Sequence, residues 1–187
     1  MANFDIAMSK AFQLEGGYVD DLADPGGATN MGVSLRWLKT LTKVKGNHAE
    51  GDVNGDGVID VNDIKELNQA EASALYKEEW WDRYHYGDIT DQAMATKVFC
   101  TALNMGASPA NKLFQECLLA NGCAGIVVDG VLGPATIQQY RYAAAKFGPA
   151  PILNTYKGLL AARYRAIVEH NPTLEKFLQG WLNRAYS

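Results

Sequence analysis

The sequence predicts a mainly α-helical protein with a small irregular or hairpin segment, and three observations lead there. Apolar residues recur at three- and four-residue spacings along most of the chain. Ser, Asn and Asp stand before these stretches, and Gly or Pro closes them, as helix ends require. The period-two alternation of a strand is weak throughout. A chain of 187 residues is long enough for one well-buried domain and a small subdomain.

Taken in order, Phe4, Met8, Ala11, Phe12 and Glu15 share one helical face, and Gly16-Gly17 stops that helix. Residues 18–33 read as an irregular Gly-rich segment with room for a short hairpin. Ser34 caps a helix through Leu35, Trp37, Leu38 and Leu41. Asn68 and Glu71 form a capping box before a helix through Leu75, Tyr76 and Trp80. Thr90 or Asp91 starts the next, with Val98, Ala102 and Met105 spaced for burial. Ser108-Pro109 opens a helix that Gly122 ends, and Gly133-Pro134 opens another. A long amphipathic helix covers Ile152 to His170, Asn171-Pro172 breaks it, and a last helix reaches Trp181. Around Gly148-Pro149, a hinge and a tight interhelical turn explain the residues equally well.

No stretch approaches the eighteen apolar residues of a membrane span, and MANFDIAMSKAF lacks a basic segment followed by an apolar one. The expectation is therefore a product of a cytoplasm without membrane insertion. A net charge of −4 argues against nucleic acid as the partner. Asp52, Asp56, Asp60 and Asp63 account for that excess, because the other acidic residues equal the basic ones in number. Cys100, Cys117 and Cys123 follow no metal-ligand spacing, and Cys100 and Cys117, in apolar helical surroundings, read as small core residues.

The segment 51–67, GDVNGDGVIDVNDIKEL, fits a Ca²⁺ loop. Asp52, Asn54 and Asp56 take positions 1, 3 and 5, and Gly57 the turn. Val58 offers its carbonyl at position 7, Asp60 is position 9, and Asp63 is position 12, where most such loops have Glu. Only one loop is present, so a structural clip is expected rather than a paired sensor.

Glu15 ends an apolar stripe, where partial desolvation and the negative end of the helix dipole raise a carboxyl pKa. That is the state a general acid in glycoside hydrolysis needs. A second carboxylate must then come from a segment that folds back. Asp20, Asp21 and Asp24 are candidates, with Asp24 best placed before the rigid Pro25-Gly26-Gly27 turn. Thr29 would orient a water or hold that carboxylate. A polar turn with a capping Glu is the plainer alternative. Trp80, Trp81, Tyr84, His85 and Tyr86 form an aromatic cluster that reads either as a wall of a glycan groove or as a core anchor.

The run EGGYVDDLADPGGATNMGVS (15–34) resembles the signature of glycoside hydrolase family 108, which contains phage endolysins and secretion-associated muramidases. Glu15-x8-Asp24-x4-Thr29 is also similar to the Glu-x8-Asp-x5-Thr triad of phage lysozymes. The likeness continues in EASALYKEEWW (71–81), ALNMG (102–106), VDGVLGPAT (128–136) and GWLNR (180–184). It implies a lysozyme-like helical fold, with Glu15 as catalytic acid and Asp24 and Thr29 handling water or intermediate. It further implies that Asn104 lines the cleft, while the aromatic cluster itself offers Trp81, Tyr84 and His85 as substrate-binding candidates. VDGVLGPAT resembles an element of peptidoglycan-binding modules, so residues 1–125 are expected to form the catalytic region with the insert 51–67. Residues 126–187 then form a helical wall-binding-type region.

The implied function is an endolysin-type N-acetylmuramidase. It would act as a monomer on bacterial peptidoglycan, carry a structural Ca²⁺, and reach the wall through a holin pore. A lytic transglycosylase and a non-catalytic, Ca²⁺-stabilised peptidoglycan-binding protein are the alternatives.

Overall fold

The computed structural model describes residues 1–14 and 27–187 and is mainly α, as the sequence predicts. Among the described residues the chain divides into two compact units, Phe4–Trp80 and Met1–Asn3 with Trp81–Ser187.

In the first unit, helix α1 (Phe4–Leu14) buries Phe4, Met8 and Ala11 of the face read from their spacing, together with Ala7, and leaves Phe12 half-buried. Strands β1 (Thr29–Asn30) and β2 (Val33–Ser34) form the expected hairpin, with Thr29 opposite Ser34. Its two-residue turn has Met31 at φ 50° and Gly32 at φ 80°, the positive angles of a type I′ turn that matches strand twist. Ser34 caps helix α2 (Leu35–Leu38) by accepting from the Trp37 amide at 3.2 Å. That helix stops before Leu41, and the chain then makes a second hairpin, β3 (Val44–Lys45) with β4 (His48–Ala49). Helix α3 (Val61–Glu66) closes the acidic segment, and α4 (Gln69–Tyr76) starts at the Asn68–Glu71 capping box. From Lys77 to Asp82 the helix widens into a π-helix, a rare form that shifts every side chain after it around the axis.

The second unit is a helical bundle of α5 (Gln92–Met105), α6 (Ala107–Ala120), α7 (Pro134–Phe147), α8 (Pro149–His170) and α9 (Glu175–Tyr186). Helix α6 packs on α5 and α8, and α8 packs also on α7 and α9. Phe99, Phe114, Tyr140, Tyr156 and Leu160 fill the core, with the Phe114 ring 5.5 Å from that of Tyr140.

Two helix starts differ from the sequence expectation for one reason. Gly106 ends α5 and begins α6, and Gly148 does the same between α7 and α8, at φ 93° and 81°. A single Gly at positive φ turns the chain where a polar cap would need more residues. So α6 begins before Ser108, α8 begins at Pro149, and the Gly148 region is a tight turn. The last helix runs beyond Trp181 to Tyr186. All three cysteines are buried and free, and burial pushes the Cys117 thiol up to about 12.

Candidate functional site

Glu15 and Asp24 lie outside the described residues. What surrounds them in sequence is described. α1 delivers the chain to residue 15, and the first hairpin receives it from residue 27. Thr29 sits half-buried on β1, its hydroxyl donating to the Gly27 carbonyl at 3.2 Å. Its neighbour Asn30 ties this hairpin to α3: its amide donates to the carbonyls of Ile64 at 3.0 Å and Leu67 at 3.2 Å. The Tyr76 hydroxyl donates to the Met31 carbonyl at 3.3 Å. Backbone acceptors held this way are satisfied away from water, so the hairpin is anchored at three points. A groove of ≈ 410 Å³ runs beside α1 and α4, lined by Asp5, Ser9, Phe12, Gln69 and Ser73.

The aromatic cluster of the sequence separates in space. Trp81 is 4% exposed, with its ring 5.3 Å from Phe99 and edge-on to it, and 6.3 Å from Tyr86. That is core packing rather than a sugar-facing surface, and a side chain at Gly87 would press on the Trp81 indole nitrogen at 3.0 Å. Tyr84 is half-buried beneath the Arg83 guanidinium, and its ring lies 6.1 Å from Tyr86. His85 is exposed, at φ 58°, with Nδ1 3.7 Å from a carboxylate oxygen of Asp88. Asn104 is exposed, and its side-chain oxygen accepts from the Tyr164 hydroxyl at 2.9 Å.

Sequence reasoning missed a second aromatic group. Trp37 stacks on Tyr76 at 5.3 Å and meets Trp80 edge to face at 6.1 Å, with both indoles half-buried. Trp37 and Trp80 are far apart in sequence, so only the fold reveals the pair.

In the acidic segment, Asp52 and Asp63 are buried, 2% and 0% exposed. Asp63 accepts from the amides of Val53 and Asp60, both at 2.7 Å, and of Asn54 at 3.2 Å. Asp52 accepts from Gly55 at 2.9 Å and Gly57 at 3.0 Å. The Asn54 side chain accepts from Asp56, Asp56 from Val58, and Asp60 caps α3 through the Asn62 amide. Val58 is exposed. No Lys, Arg or His side chain pairs with Asp52 or Asp63 among the described residues. Two buried carboxylates without a cation are costly, and the donor set, all oxygen, suits a hard divalent ion.

Elsewhere, Glu50, Glu78 and Glu79 are the one group among the described residues whose acidic side chains converge, within 4.8 Å. Lys43 bonds to Glu78 and Glu79, and Lys45 to Glu50 and Glu78. The Lys45 ammonium, then Lys43, holds the Glu78 carboxyl below its usual range, while the Glu79 hydrogen bond is the main cause of the raised Lys43 value. This charge network joins the second hairpin to the π-helix and already holds its cations.

The turn VDGVLG is built by α6. Gln115, 1% exposed, donates to the Asp129 carboxylate at 2.8 Å and the Val131 carbonyl at 3.0 Å, and accepts from the Gly130 amide at 2.8 Å. Asn111 donates to the Gly130 carbonyl at 3.0 Å. A side chain at Gly130 would lie 2.9 Å from the Ser108 hydroxyl and 3.2 Å from its carbonyl, so only Gly fits.

Comparison with known proteins gives two family matches that follow each other along the chain. Glycosyl hydrolase 108 matches residues 8–106, and a family described as a predicted peptidoglycan domain matches residues 109–186. Among solved structures, the chain is similar to SagA of Brucella abortus, with a TM-score of 0.70 and 28% identity. That alignment covers 98% of this chain and 89% of SagA. No curated protein matches the sequence. Among the described residues, no helix is long and apolar enough to cross a membrane.

Proposed function

The chain belongs to the glycosyl hydrolase 108 family, and from that premise we propose that it is an N-acetylmuramidase of the endolysin type. It is a peptidoglycan-degrading glycoside hydrolase with a peptidoglycan-binding domain. The bond cut is the β-1,4 link between N-acetylmuramic acid and N-acetylglucosamine. Family membership over residues 8–106, which include the Glu15–Thr29 motif, is the observation that carries this reading.

In this reading Glu15 gives its proton to the leaving oxygen as the glycosidic bond breaks. Asp24 activates water or stabilises the oxocarbenium-like transition state, and Thr29 orients that water. The anchored hairpin supports the role of Thr29, because a water-orienting hydroxyl must sit on a backbone that does not move. The groove along α1 reaches Phe12, three residues before Glu15, and offers polar groups beside an aromatic ring. Trp37 and Trp80 are further candidates for packing against sugar faces.

The second part of the reading is a structural Ca²⁺ held by Asp52, Asn54, Asp56, Val58, Asp60 and Asp63. Its support is the buried, cation-free pair Asp52 and Asp63. When bound, the ion would neutralise that charge. Asn30 then gives the loop a mechanical consequence, since α3, which the loop leads into, grips the hairpin that carries Thr29.

Reducing-end release from purified peptidoglycan tests the assignment of Glu15. The wild type should release reducing ends, and Glu15→Gln should lose about 10³-fold of that rate with its circular dichroism unchanged. Equal rates would remove Glu15 from the mechanism.

A further inference from the structure

A second cleft, of ≈ 400 Å³, lies wholly within the second unit. His85 and Asp88 form one side, the turn 131–134 another, and Ile137, Gln138 and Arg141 of α7 the third. The two family matches each supply part of its lining, since His85 and Asp88 precede residue 106 and the rest follow residue 109. Its size falls within the range of small-molecule sites, roughly 300–1,000 Å³.

The chemistry of the lining is asymmetric. Leu132 and Ile137, 4% and 5% exposed, give it an apolar base. Arg141 is exposed and has no hydrogen-bond or ion-pair partner among the described residues. Among the described residues the Asp88 carboxylate pairs only with the His85 imidazole, at 3.7 Å, too far for a hydrogen bond. One wall thus offers a guanidinium fork suited to a carboxylate, and another a carboxylate suited to an ammonium. Among the described residues no Phe, Tyr or Trp lines the cleft, so these walls lack the flat faces on which sugar rings pack. A neutral N-acetylated glycan would leave both charges unanswered.

We propose that this cleft binds the peptide stem of peptidoglycan, with Arg141 taking a carboxylate, Asp88 an ammonium group, and the apolar base the alanine methyls between them. The inference rests on peptidoglycan being the substrate. Stem peptides carry these groups together: a diamino acid with a free amine, carboxylates, and alanine. Such a site lets the enzyme hold a cross-linkable, uncapped stem while its glycan is cut elsewhere. The turn 131–134 is held in place by Gln115 through its bonds to residues 129–131, so this wall of the cleft is formed before any ligand arrives.

The test is calorimetric titration of the full chain with a synthetic stem tetrapeptide containing meso-diaminopimelate. The same peptide with amidated carboxylates, the same peptide with an acetylated side-chain amine, and neutral N-acetylglucosamine glycan oligomers are titrated alongside. Saturable binding is expected for the unmodified peptide, weakened at least tenfold by Arg141→Gln and by Asp88→Asn. Arg165→Gln, at another exposed arginine, should bind as the wild type does. Amidation should erase the Arg141→Gln effect, and acetylation the Asp88→Asn effect. Absent wild-type binding, unchanged affinity in Arg141→Gln, or competition by glycan oligomers would each overturn the inference. Wild-type release of reducing ends from intact peptidoglycan is measured in parallel. If it occurs without peptide binding, the stem site alone is wrong; if it does not occur, the muramidase reading is wrong as well.

Discussion

At Gln115 a single buried amide holds a turn that forms one wall of the stem-peptide cleft. Truncation to Ala leaves the Gly130 amide, the Val131 carbonyl and the Asp129 carboxylate short of a partner. Breaking such a network costs about 2–3 kcal/mol, so Gln115→Ala should lower the urea midpoint with an unchanged m-value. Asp129 adds a pH signature. The Gln115 hydrogen bond, then the Val131 amide, holds its carboxyl below the usual range. A lowered folded-state pKa gives stability that is present above the unfolded value and lost as pH falls through the folded one. Asp129→Asn should therefore lose less stability than the wild type on acidification, read from melting temperatures at neutral pH and at about pH 3. Met31 offers the opposite sign. Its φ of 50° is a left-handed angle that favours Asn or Gly in a type I′ turn. Met31→Asn should raise stability by roughly 1 kcal/mol, visible as a higher melting temperature.

Residue roles were legible in the sequence where a local rule decides them. Ser34, Asn68 and Asp91 cap the helices they precede. The face of α1 follows from spacing alone. The aromatic run 80–86 was not legible, because its geometry depends on a π-helix. Widening over Lys77–Asp82 changes the period, so Trp80 joins Trp37 and Tyr76 while Trp81 joins Phe99 and Tyr86. His85 then leaves both groups for the cleft with Asp88. A 3.6-residue reading places these side chains on the wrong faces.

Among the elements, the acidic loop and the first hairpin behave as one device. Asn30 links the hairpin to α3, and Asp60 and Asp63 start that helix. Chelation by EGTA should lower the melting temperature and slow hydrolysis together, with Ca²⁺ restoring both. Asp56→Ala separates the ion from the fold, since Asp56 is exposed and its carboxylate, among the described residues, takes only a local bond from the Val58 amide. This variant should lose the EGTA response while melting close to the chelated wild type. A wild-type transition indifferent to EGTA would show that the loop needs no ion. The single-Gly corners at 106 and 148 mark a limit of sequence reading at this scale. One residue that both ends and begins a helix gives no cap pattern to find. The position of Pro149 is compatible with either reading until the turn is seen.

For the whole molecule, the succession of hydrolase and peptidoglycan-domain matches gives the chain its sense: a peptidoglycan-degrading hydrolase that carries a peptidoglycan domain. The helical class was legible from periodicity and caps. The two compact units were not, because their boundary falls between Trp80 and Trp81, inside a helical element rather than at a linker. The family matches instead meet near Gly106, at the corner between α5 and α6. In the proposed mechanism, however, cleavage rests on Glu15 and Asp24, roles inferred from the sequence motif and its resemblance to the family. The most direct measurement is mass spectrometry of the fragments that the wild type and Glu15→Gln release from purified peptidoglycan. Muropeptides ending in reducing N-acetylmuramic acid, from the wild type only, are the predicted result. Anhydro ends would mean a lytic transglycosylase, reducing N-acetylglucosamine ends a different bond, and no fragments a binding protein; each would contradict the account.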